Sequence, residues 1–203
     1  MSSVKEGVAG KFMRKVPNLI SFKCLCHQEN TALKHVYQKF PILENFNIKL
    51  SSIIAYFTIA PKKMRILENA QMELEYEGCY RLLKPKMIRW NSFFYATHRV
   101  QLIYPAIIKT LKHIESISIL KTDQFDAKEK REMMEDFNFI YLIHWLSDFL
   151  CPLCSLNKQL QNANYQFSFL KEQLINTTTF LKQEYLVQAA DSLFANNLDR
   201  IGN

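Results

Sequence analysis

Apolar side chains recur at helical spacing through most of this 203-residue chain, and six prolines cut the pattern into lengths of about one helix each. After Pro41, for example, Leu43, Phe46, Leu50, Ile53, Ile54 and Phe57 fall on one side of a helix that Pro61 ends. Only four glycines are present, too few for the tight turns of an all-β sandwich or barrel. The core must therefore come mainly from packed helices. Apolar residues make up 48% of the chain, with 15 Phe and 9 Tyr, which separates it from disordered sequences.

The same periodicity places the elements. Residues 4–15 read as a short helix stopped at Val16-Pro17, and residues 19–24 (LISFKC) as a brief strand. Helices follow at 29–40, 41–60 and 64–77, the last ending near Gly78. Residues 81–89 (RLLKPKMIR) are extended or irregular around Pro85. A long helix opens at Trp90, bends at Tyr104-Pro105 and continues to residue 114. Residues 122–127 read as a polar linker. A charged helix start at 128–136 leads into an apolar run at 137–150, broken at Pro152 and resumed to 161. Residues 165–195 read as one long helix before a polar tail. The fold class is thus mainly α with one or two short strands. A lone LISFKC strand has unpaired edges and calls for partner strands from elsewhere.

Charge is unevenly spread. Residues 1–120 carry 18 Lys and Arg against 8 Glu, a net +10, whereas residues 121–203 carry 8 against 11 acids, a net −3. The basic half could approach DNA, or could simply be a set of solvated helix faces. Pro61-Lys62-Lys63-Met64-Arg65 is a short basic cluster open to the same two readings. No run nears the ~18 uninterrupted apolar residues of a membrane span. Lys5, Lys11, Arg14 and Lys15 interrupt any signal-like apolar stretch. A cytosolic or nuclear chain with five reduced cysteines is the expectation.

Groups suited to chemistry are sparse. The first Asp is Asp123, and metal-dependent nucleic-acid cleavage needs several convergent carboxylates. Cys24 and His27 have C-x-x-H spacing and Cys151 and Cys154 have C-x-x-C spacing, together four soft ligands of the kind a structural zinc takes. Buried cysteines acting as small hydrophobes explain the same residues without metal. His35, His98, His113 and His144 each sit in a helical segment with no Asp or Ser at a triad-like position, so core or surface histidine is the reading for all four. No glycine-rich phosphate loop exists. Arg89-Trp90 stands where an extended segment meets a helix, and can lock that junction with the indole in a core pocket. An Arg aimed at a DNA phosphate is the functional alternative. No catalytic residue, cofactor or small-molecule substrate is assigned.

Three blocks carry a resemblance. KVPNLISFKCLCHQENTALKH resembles the segment of hAT-type DNA transposases in which a strand ends in C-x-x-H before a helix. PKMIRWNSFFYATHRVQLIYPAII resembles their later Arg-Trp block, and FIYLIHWLSDFLCPLCSLNKQLQ the opening of their inserted helical domain. The match spans roughly residues 4–165 and is nearest to the vertebrate zinc-finger-associated and SUMO-ligase-like hAT derivatives. The resemblance implies a partial RNase H-like α/β core over 1–120, bearing Cys24, His27, Arg89 and Trp90 as structural motif residues, and part of the helical insertion over 121–203. It also implies that both catalytic Asp lie upstream of Met1. The expected product is a catalytically inactive, transposase-derived nuclear fragment with residual nucleic-acid association. The alternative is a nuclear protein-interaction module like the SUMO-ligase-like members. Cys26 and Glu29 depart from the small and apolar residues usual in the family.

Overall fold

The computed structural model describes residues 7–16, 18, 24–86, 90–162 and 167–187, and over these the chain is mainly helical. The order is α1 (Val8–Lys15), α2 (Leu25–Gln38), α3 (Pro41–Thr58), α4 (Pro61–Glu73), α5 (Trp90–Leu102), α6 (Tyr104–Ile117), α7 (Lys121–Glu135), α8 (Phe137–Leu160) and α9 (Leu170–Lys182). A 3-10 turn (Phe167–Phe169) leads into α9 and a π turn (Gln183–Val187) ends it. No strand occurs among the described residues, and LISFKC lies outside them except for Cys24.

Prolines start helices here more often than they stop them. Pro41, Pro61 and Pro105 each occupy the first turn of their helix, where a missing N–H costs no intrahelical bond. So α4 begins at Pro61, not at residue 64, and it ends at Glu73. Glu75 adopts a left-handed conformation (φ 57°). Its N–H donates to the Met72 carbonyl (3.0 Å) and that of Tyr76 to the Gln71 carbonyl (3.2 Å), a Schellman ending built on Glu where Gly is favoured. Gln71, fully buried, then pins the irregular segment beyond it. Its Oε1 accepts from the Tyr80 N–H (2.7 Å) and its Nε2 donates to the Tyr80 carbonyl (3.2 Å).

Two sequence expectations are corrected. Residues 122–127 are not a linker but the first half of α7. That helix is charged nearly all round and buries only Ala127 and Met134, seven residues apart, so its periodicity is faint. Pro152 does not break α8. Within the helix it forfeits one bond, to the Asp148 carbonyl. Buried Leu150, Cys154 and Leu156 on both sides keep the helix continuous. By length and composition α8 could cross a membrane, but Phe139, Ile143, Leu146 and Leu150 are buried in the core, as in the central helix of a bundle.

One apolar core draws on α2 to α8. Phe46 lies near its middle, edge-on to Phe93 (6.3 Å between centroids) and tilted on Phe139 (5.2 Å). Residues on both sides of the 120/121 division contribute to this core. Beyond it, Tyr185 packs edge-on against Trp145 (6.2 Å) and Phe149 (5.3 Å), fastening the end of α9 to α8.

Between α6 and α7 the fold pairs charges. Arg131 Nε and Nη2 donate to the Glu115 carboxylate (2.9 and 3.4 Å), and Nη1 donates to Glu135 (2.7 Å). The hydrogen bonds from Arg131 hold the Glu115 carboxyl below its usual range. A depressed folded value means that the stabilisation is complete above the unfolded glutamate value of about 4.3 and fades as pH falls through the folded one. The melting temperature should therefore drop on acidification through this window, and Arg131→Met should flatten that dependence when melts are followed by circular dichroism across pH. An unchanged pH profile in the variant would show that the pair contributes nothing.

Candidate functional site

Several polar residues capable of chemistry meet at the contact between α5 and α8. These helices run antiparallel, and their facing positions meet in polar pairs. Asn91 Nδ2 donates to Asn157 Oδ1 (3.0 Å), which also accepts from Gln161. The Cys154 thiol lies 3.6 Å from the Tyr95 hydroxyl. His98 Nδ1 lies 2.9 Å from Ser147 Oγ and 3.3 Å from Gln101 Oε1. Gln101 Nε2 donates to His144 Nδ1 (2.9 Å). On α5 the residues are 91, 95, 98 and 101, one helical face at spacings of four, three and three. Along α8 the partners run in reverse order.

The His98–Ser147 contact has the distance of a nucleophile–base pair, yet Ser147 is only 1% exposed and no substrate carbonyl can reach it. The His98 ring is also stacked on Phe94 (5.5 Å, 10°). Lys158 sits 5.2 Å from the centre of the Tyr95 ring, and its hydrogen bond with Tyr95 raises its pKa. A lysine base or nucleophile needs the opposite shift. These groups hold two helices in register.

At one end the seam opens into a cleft of about 460 Å³, lined by Asn30 of α2, Asn91, Ser92 and Tyr95 of α5, and Asn157 and Gln161 of α8. Among the described residues its lining offers amides and hydroxyls and no carboxylate. Ser92 Oγ is occupied with the backbone of Lys86, accepting from its N–H (2.8 Å) and donating to its carbonyl (3.1 Å). The arrangement suits hydrogen bonding to a polar group but not proton transfer.

The residues singled out from sequence do not assemble. Cys24 and His27 are exposed at the start of α2, and on α8 Cys151 is exposed while Cys154 is buried. Among the described residues no three His, Cys, Asp or Glu side chains gather in a way that could hold a metal ion. Arg89 lies outside the described residues, and Trp90 is described only as the first backbone position of α5. His35 and His113 are exposed. Sequence reasoning missed the neighbourhood of His98 and His144, because their partners are 49 and 43 residues away. The available signal was the run of polar residues on one face of α5.

No model of a known protein family matches the chain, and no solved structure matches it.

Proposed function

We propose that this chain is a non-catalytic helical module, derived from an hAT-type transposase and its RNase H-like core, that works in the nucleus by binding another protein. The observation that carries this reading is the seam. There His98, His144, Ser147, Cys154 and the amides of Asn91, Gln101 and Asn157 join α5 to α8, and Ser147 is closed to solvent.

The fold also weakens the alternative of DNA binding. Part of the basic half is neutralised by the acidic α7, through Lys63–Asp123 (3.3 Å) and Lys112–Glu135 (3.7 Å). Lys109 is paired with Glu73 (2.7 Å). The polyanion footprint that the sequence suggests is smaller once the chain is folded. Titration of the purified chain with labelled duplex DNA at low and physiological salt tests this. Weak association that vanishes at physiological salt is expected. Submicromolar affinity retained there, with a steep salt slope, would replace this reading with a nucleic-acid one.

A further inference from the structure

At the corner where α4, α6 and α7 meet, a cleft of about 630 Å³ opens to solvent. Its floor is Ile66 and the buried Ile114, and its walls are Ile117, Ile119 and Leu120. Three of these side chains are strongly exposed: Ile119 at 97%, Leu120 at 62% and Ile117 at 58%. The α6–α7 connection thus places consecutive apolar residues in water beside a hollow already lined with isoleucine. Clustered apolar exposure of this kind marks a contact surface far better than scattered single residues do.

The polar rim sets what can enter. Lys62 and Lys63 of α4 and Asp123 of α7 line the mouth. Lys63 is committed to Asp123 (3.3 Å) and to the face of Tyr56 (3.8 Å). Lys62 is exposed, Arg65 follows it one turn along α4, and Lys121 follows Leu120. Against these four cations stand Asp123 and, one turn further on α7, Asp126. Both helices also begin at the cleft with apolar cap residues, Ala60 and Leu120, which offer the first N–H groups no side-chain acceptor. The first turn of α4 holds no acid, so its positive end adds to the lysines, whereas Asp123 offsets that of α7. The cleft is apolar inside and cationic at its mouth.

We infer that this cleft is the docking site for a short apolar segment of a partner protein flanked by Asp or Glu. Aliphatic side chains of the segment fill the space over Ile66 and Ile114 and cover Ile117, Ile119 and Leu120. Its carboxylates meet Lys62 and the open first turn of α4. The inference rests on the protein-binding reading above and supplies the chemistry of the partner.

The test uses the full chain and a short labelled peptide of Leu and Glu, followed by fluorescence anisotropy. Two control peptides replace Glu by Lys or Leu by Ser. The expected result is saturable binding of the Leu/Glu peptide only. Ile119→Ser and Lys62→Glu should each weaken it by about tenfold or more, the scale of losing a contact hot spot. Lys62→Glu should gain affinity for the Leu/Lys peptide. Both sites are exposed and the variants should melt as the parent does, so lost folding cannot mimic the effect. Binding indifferent to both substitutions would overturn the cleft while leaving the protein-binding reading standing. Absence of peptide binding together with tight, salt-dependent DNA binding would take down both. Sedimentation showing a dimer that Ile119→Ser dissociates would overturn the acidic partner and make a second copy of the chain the occupant.

Discussion

Phe46→Ala should destabilise the protein by about 3–5 kcal/mol, the range of large aromatic truncations in cores. Phe46 is 2% exposed and touches aromatic rings from two other helices, Phe93 of α5 and Phe139 of α8. Truncation removes the transfer free energy of the ring and leaves a void that three helices cannot all close. Natural domains hold about 5–15 kcal/mol in total, so a large part of the stability should go at one position. Urea unfolding followed by circular dichroism reads the loss as a lower midpoint with an unchanged slope. A loss below about 1 kcal/mol, the scale of ordinary surface substitutions, would mean that α3, α5 and α8 do not meet around this ring.

Asn157→Ala should cost about 1–2 kcal/mol, the lower part of the range for stranding hydrogen-bonding groups, because Asn91 is half-buried and Gln161 exposed at the cleft. Asn157 is 3% exposed, and its Oδ1 accepts from both Asn91 and Gln161. Truncation leaves those amide donors facing an apolar methyl. The loss should shrink when the far partner goes as well. Asn91→Leu with Asn157→Leu removes acceptor and donor together, and a matched apolar pair should restore much of the stability. A single variant as stable as the parent would show that water reaches the seam and replaces the lost partner. That outcome would also reopen the cleft beside it as a functional surface, since its amides would then be free to bind elsewhere.

What could be read from sequence was local. The inward face of α3 was plain because five buried residues, Phe46, Leu50, Ile53, Ile54 and Phe57, repeat at helical spacing within one segment. Pro105, which cannot bond back to Gln101, marked a bend at this point, and the chain there divides into α5 and α6. Helix α7 was half missed because it buries two side chains in fifteen residues. Its position is set by tertiary contacts, such as Arg131 to Glu115 and Tyr104 Oη to the Met134 carbonyl (2.9 Å), that no periodicity encodes. The seam was invisible for the same reason. Asn91 and Asn157 are 66 residues apart, and each looks like an ordinary polar position on its own helix. The cysteine and histidine motifs were conspicuous in sequence because their spacing is local.

The most direct test of the claim that this chain acts without chemistry is plasmid nicking and strand transfer by the purified protein in magnesium and in manganese. Two-metal cleavage needs converging carboxylates, and no Asp precedes Asp123. On α7, Asp123 is paired with Lys63, Glu129 with Lys130, Glu132 with Lys128, and Glu135 with Lys112 and Arg131. No nicking above a protein-free control is expected with either metal. Nicking that co-elutes with the folded protein, requires the metal and is abolished by a chelator would contradict the claim outright.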